Sequence, residues 1–337
     1  MVAFTPREEL LKIINNEEIK SFPQVIPINT PVLEEMESIK IYWPEGHRNL
    51  NEMTAIGKST LQTGFNAINI PFDMAVEAEA LGCEIVWSNK KDDIPQVREA
   101  KIGDITGIRI DEKILQKGRI PLVLKVIAMQ RKNFPDYPIL PLLVGPFTLA
   151  CMITDINSMF KIMITDQQKS SEILDIMADF CILYGAEQYK NGADVILLLD
   201  PNVSGLGANQ FENILIPVYR KITSTLKKGL IIHICGNIKR ILKLIPECGF
   251  GGLSFDNPAM DIEFVKDTVG DKMKLIGAVP TVSCILDGTE TDVFDKSLEC
   301  IKKGVDLLAP SCCLPPNSKL RNLKKMVEAI KYWNENN

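Results

Sequence analysis

Eight short runs of this chain are almost wholly apolar and rich in branched side chains: residues 22–28, 66–72, 138–144, 193–199, 230–235, 250–255, 274–279 and 305–309. Runs of that length with no polar face predict strands buried on both sides. Between them apolar positions recur at helical spacing, over 32–39, 74–81, 119–132, 149–191 with a break near Thr165, 210–226 and 238–246. Ahead of the first run, residues 4–15 predict an amphipathic helix with Thr5 as N-cap, Pro6 in the first turn and Glu8 at the capping-box position, placed to cover one end of the core. Strands that alternate with helices and lack a polar face are parallel strands in an α/β fold, and eight of them predict a closed (β/α)8 TIM barrel. An open doubly wound sheet is the competing arrangement, but no Gly-x-Gly-x-x-Gly follows an early strand. Without an internal repeat or a Pro-, Gly- or Ser-rich linker, the expectation is one barrel domain over residues 1–337, with an N-terminal helical extension over about the first 20.

Composition narrows the function. The chain has 337 residues, 46% of them hydrophobic, enough for a large core, and a net charge of −5 with no cluster of Lys and Arg. That balance argues against a nucleic-acid binder, which needs clustered cations for phosphates. No run of about 18 apolar residues predicts a membrane span, and the N-terminus lacks the basic-then-apolar order of a secretory signal, so a cytoplasmic protein is expected. The nine cysteines are an odd number spread over strands and helices, which excludes a disulfide scaffold. Cys151, Cys181, Cys284 and Cys300 fall in apolar or helical surroundings, and Cys83 and Cys248 at element ends, where a free thiol acts as a small hydrophobe.

The remaining cysteines carry the chemistry. The run 229–237 ends by presenting His233 and Cys235 two positions apart, hence on one face of a strand, before turning at Gly236 and Asn237. A second apolar run, 304–310, ends at Ser311-Cys312-Cys313. In a barrel both ends lie on the functional, carboxyl-terminal face. Two thiolates and an imidazole are donors suited to zinc, and three protein ligands leave a fourth position for substrate. Cys312 is the expected third ligand and Cys313 the weaker candidate, since it should point away, although a Cys-Cys turn would exchange the two. Two thiolates neutralise the charge of zinc(II), so a substrate thiol entering the fourth position is deprotonated near neutral pH yet keeps its nucleophilicity, which points to alkylation of a thiol. The second histidine, His47, sits in a Pro- and Gly-containing loop with no identifiable partner.

The segments His233-Ile234-Cys235-Gly236-Asn237, 248–254 and 308–312 resemble the methylcobamide:coenzyme M methyltransferases, zinc enzymes of the uroporphyrinogen decarboxylase superfamily. Segments 43–47, 79–84, 118–121, 145–146, 192–194 and 200–201 agree in order and spacing, so the resemblance spans nearly the whole chain. It implies a uroporphyrinogen decarboxylase-like barrel in which His233, Cys235 and Cys312 bind Zn2+. It also implies that a thiol, coenzyme M-like, takes a methyl group from a methylcorrinoid carried by a partner corrinoid protein. By the same resemblance Asp256 would be a labile fourth ligand, and Glu79 and Asp200 would line the pocket or serve as acceptors that support the fold. The chain departs from the family in flanking Cys312 with Ser311 and Cys313 where the family has glycines, and no cation for a sulfonate is assignable. A close variant is the opposite half-reaction, from a methyl ether or methylamine to cobalt(I). Uroporphyrinogen decarboxylase itself needs several arginines for its substrate's carboxylates, and residues 22–29 contain none. A non-catalytic barrel would bind no metal.

Overall fold

The computed structural model describes residues 4–98, 105–227, 229–256 and 260–337. Among the described residues nine strands form: β1 (Ile68–Ile70), β2 (Ile85–Val86), β3 (Gln96–Val97), β4 (Ile139–Val144), β5 (Ile196–Leu199), β6 (Leu230–Cys235), β7 (Gly252–Asp256), β8 (Lys274–Val279) and β9 (Leu307–Pro310). Seven pair in parallel in the order β1-β4-β5-β6-β7-β8-β9, while β2 and β3 form a separate antiparallel pair. The parallel strands are buried almost throughout, as their lack of polar positions requires. Helices join most consecutive parallel strands, the β6–β7 connection being turns and a 3-10 turn, and one buried apolar cluster runs from Leu10 to Ile330. The long connection between β1 and β4 contains the β2–β3 pair, and its residues 99–104 lie outside those described.

The first of the eight expected strands, residues 22–28, joins no ladder, and the other seven form a curled parallel sheet, a half-barrel of the TIM-barrel-like α/β kind. Pro23 and Pro27 supply no N–H, so half of a regular ladder cannot form there. The segment is nonetheless extended and deeply placed, with Val25 and Ile26 fully buried. Just beyond it, Asn29 donates from its backbone N–H to Asn69 Oδ1 (3.0 Å) and from Nδ2 to the Ala67 carbonyl (3.2 Å). On its other side, Thr30 Oγ1 accepts from Leu314 N–H (2.6 Å) and the Pro316 carbonyl accepts from Leu33 N–H (2.7 Å). Side chains thus do what a ladder does elsewhere, between β1 and the chain that follows β9.

The first helix, Pro6–Ile14, has the expected capping box: Thr5 accepts from Glu8 N–H and Glu8 accepts from Thr5 N–H. It closes the amino-terminal end of the sheet, because Ile14 lies where a Cβ on Gly229, just before β6, would stand at 2.6 Å. Arg7 and Arg131 both pair with buried Asp194, ahead of β5, and fasten that end. The 238–246 stretch, expected as a helix, is mostly turns and is followed by a 3-10 turn at Ile245–Cys248. Among the described residues no single helix is long and apolar enough to cross a membrane.

Candidate metal centre

At the opposite, carboxyl-terminal end, β6 delivers His233 and Cys235 to one face, and the turn after β9 delivers Cys312. Gly236 makes the exit from β6 possible: its φ is +85°, and a Cβ would stand 3.0 Å from Ser204 Oγ. His233 Nε2 lies 3.1 Å from Cys235 Sγ, and Cys235 Sγ lies 3.5 Å from Cys312 Sγ. Ligand atoms of all three residues lie within 4.8 Å of one another. A tetrahedral zinc ion with ordinary bond lengths sets sulfur–sulfur edges of about 3.8 Å and nitrogen–sulfur edges of about 3.6 Å. The donor set and its spacing therefore fit zinc once these donors move apart by a few tenths of an ångström. His233 Nδ1 is 2.9 Å from the hydroxyl of buried Ser254, its register partner on β7, which fixes the ring and leaves Nε2 for the ion. The hydrogen bond from Cys235 is the main influence holding Cys312 towards thiolate, with Cys313 and His233 adding to it; the same contact raises Cys235.

Cys313 follows the ligand set and opens onto a cavity of about 600 Å3 walled by Trp43, Phe72, Met74, Leu142, Met152 and Leu199. The loop between β2 and β3 forms its rim, with Asp92, Asp93 and Ile94. The cluster of mutually close donor atoms includes Cys312 and not Cys313, although Cys313 stays beside Cys312 and hydrogen-bonds to it.

The three acidic candidates fare differently. Asp256 stands beside Cys235 in the β6–β7 register, and its Oδ1 accepts from Ser311 Oγ at 2.7 Å. The cluster of mutually close donor atoms does not include it. Asp200 is fully buried: Oδ1 accepts from Thr148 N–H (2.7 Å), and Oδ2 from Phe147 N–H (3.2 Å) and the Tyr219 hydroxyl (2.8 Å). Those bonds cap the helix Pro146–Ile153, and Gly145 leaves the room, since a Cβ there would meet Asp200 Oδ2 at 2.4 Å. Burial raises Asp200 to about 6 in spite of them. Glu79 receives Arg119 Nε at 2.7 Å. Neither Glu79 nor Asp200 is among the residues that line the cavity.

Sequence reasoning missed the group that underlies the cavity floor. Asp73, which lines the cavity, takes a two-pronged contact from Arg119, at 2.7 and 2.9 Å, and lies 2.8 Å from His47 Nδ1. This corrects the reading of His47 as lacking a partner: the ring is buried between Trp43, at 5.0 Å between centroids, and Phe72, at 6.0 Å. Burial opposes ionisation of Asp73, but the hydrogen bonds from His47 and Arg119 and the guanidinium charge outweigh it and hold the carboxyl well below its usual range. Segments 43–47 and 118–121 both carry parts of this group, and only folding unites them with Asp73.

Glu77, one turn away, is buried, and its Oε1 accepts from Val144 N–H at 3.0 Å while Oε2 has no partner. Burial raises it from 4.5 to about 7. The native chain therefore holds a proton that the unfolded chain has lost, and stability from this group falls as pH rises from 4.5 through 7. Glu77→Gln keeps the acceptor and removes the ionisation. It should stabilise the protein by about 1–3 kcal/mol at pH 8 and by almost nothing at pH 5. Urea unfolding at both pH values reads this, and equal shifts would contradict it.

The Uroporphyrinogen decarboxylase (URO-D) family model matches residues 5–333. The chain belongs to that family. Among its relatives, methylcobamide:CoM methyltransferase MtbA of Methanosarcina acetivorans is 31% identical over 99% of both chains. The methylated-thiol–coenzyme M methyltransferase of Methanosarcina mazei is 28% identical over 97% of this chain and 89% of its own. A solved methyltransferase from Methanosarcina mazei superposes with a TM-score of 0.93 at 30% identity, covering 98% and 99% of the two chains. A uroporphyrinogen decarboxylase of Wolbachia matches only 46% of this chain, at 25% identity. Within the family the chain groups with the methylcobamide:CoM methyltransferases and is a methyltransferase.

Proposed function

We propose that this chain is a zinc-dependent methyltransferase that moves a methyl group from a corrinoid on a partner protein to a small thiol. The observation that carries the reading is the His233–Cys235–Cys312 donor set at the edge of an apolar cavity, in a chain whose full-length relatives are named for that transfer. Zinc there would supply the positive charge that lets a thiol lose its proton near neutral pH. Ser254 holds the His233 ring in the tautomer that offers Nε2. The two cysteines supply the compensating negative charge, and the walls of Trp43, Phe72 and Leu199 keep water from competing with the thiol. In the transfer the thiol proton goes to solvent, sulfur donates its electron pair to the methyl carbon, and the carbon–cobalt bond breaks with its pair left on cobalt(I). Asp256, steadied by Ser311, is the candidate for the fourth position before substrate arrives. In this reading Glu79 and Asp200 act at one remove, by holding Arg119 and the helix Pro146–Ile153.

The relative named for methylated thiols favours a second reading, in which the same site receives a methylated donor and the corrinoid accepts. The decarboxylase reading is disfavoured because no Arg or Lys is among the described residues lining the cavity. The test is the loss of the carbon–cobalt absorbance of methylcobalamin mixed with the purified protein and a thiol. Demethylation should proceed with about one zinc per chain, stop on chelation and return when zinc is restored. Transfer that survives removal of all metal would overturn the zinc reading.

A further inference from the structure

The charge around the cavity carries a conclusion about what enters it. Its walls are apolar except for Thr30, Ser88, Gln96, Cys313 and three carboxylates, Asp73, Asp92 and Asp93. Among the described lining residues none is basic. Nearby cations are engaged elsewhere. Arg119 is shared by Asp73 and Glu79, so that trio is net negative whenever His47 is neutral. Arg48 stacks on Trp87 at 4.2 Å and Lys91 on Tyr42 at 4.2 Å. Arg98 pairs with Glu84, and Lys90 reaches Asp93 at 3.6 Å from the solvent side. Asp92 has neither an ion pair nor a hydrogen bond among the described residues. An anion in this cavity would give up its water for apolar walls with no cation among the described lining residues in exchange, and would face the negative charge of Asp92.

We infer that the acceptor of this site carries no anionic group where it lies in the cavity: it is a thiol with a neutral or cationic head, not a sulfonate or carboxylate. This rests on the thiol reading above. It specifies a substrate class distinct from the sulfonate, coenzyme M, in the relatives' names. Asp92 is then a specificity-determining residue, positioned on the β2–β3 loop to favour an ammonium or a hydrogen-bond donor.

Three thiols that share a two-carbon spacer separate the cases: 2-mercaptoethanol, 2-aminoethanethiol and 2-mercaptoethanesulfonate. Binding of each to the zinc-loaded protein is measured by calorimetry, alongside methylcobalamin demethylation. The neutral and cationic thiols should bind at least tenfold more tightly than the sulfonate. Asp92→Lys, with zinc content unchanged, should improve sulfonate binding at least fivefold and weaken that of the amine. Sulfonate binding as tight as that of the others would overturn the inference and leave the methyl-transfer reading standing. An unchanged preference in Asp92→Lys would remove Asp92 from it. If none of the three binds or accepts a methyl group, the thiol reading itself fails and this inference falls with it.

Discussion

Cys312→Ala should lose its metal and at least about a hundredfold of methyl-transfer rate while keeping its fold. The loss is expected because, among the described residues, three donors come together, so removing one leaves two, too few to hold zinc against solvent. Survival of the fold follows from where Cys312 sits: it is beyond the end of β9, partly exposed, and the apolar cluster from Leu10 to Ile330 does not include it. Cys235→Ala should behave alike, whereas Cys313→Ala should keep the metal. Elemental analysis, circular dichroism and the methylcobalamin assay on the same preparations separate the outcomes. A Cys312→Ala protein that retains zinc would move the ligand role to Cys313. One that unfolds would make the metal a structural support.

Arg119→Ala should lower stability by about 3–5 kcal/mol, the cost of leaving a buried carboxylate without its cation. The Asp73 side chain is fully buried and Arg119 only 7% exposed, so solvent cannot replace the lost charge. Glu79 loses its partner as well, but it is partly exposed and can hydrate. Adding Asp73→Asn to Arg119→Ala should recover part of the loss, because it removes the charge that Arg119 balances. The midpoint of urea unfolding in the metal-loaded protein reads both variants. A shift under about 1 kcal/mol for Arg119→Ala would mean that the contact from His47, 2.8 Å from Asp73, suffices to hold the buried carboxyl.

The pairing of His233 with Cys235 in the candidate site was legible because its signal is local. Alternation on a strand puts His233 and Cys235 on one face whatever surrounds them, and the strand itself is legible from its apolar run, Leu230–Cys235. The same holds for six of the other seven strands and for the capped first helix, whose determinants lie within a few residues of one another. The segment 22–28 misled because its composition is that of a buried strand, while pairing depends on N–H groups that two prolines remove. The acidic candidates shared a similar ambiguity: a carboxylate that caps a helix, as Asp200 does, looks in sequence like one that faces a substrate.

By itself the sequence determined the α/β class, the position and type of the seven strands that pair, and the placing of His233 and Cys235 on one strand face, all of which follow from periodicities of two or 3.6 residues. Only the tertiary structure decided that seven strands pair, that Asp73, Arg119, His47 and Glu79 form one buried network, and that a cavity without a free cation among its described walls lies beside the donors. Those features join residues far apart in the chain. Their existence depends on which ends of the strands meet, a property of packing that no local pattern records.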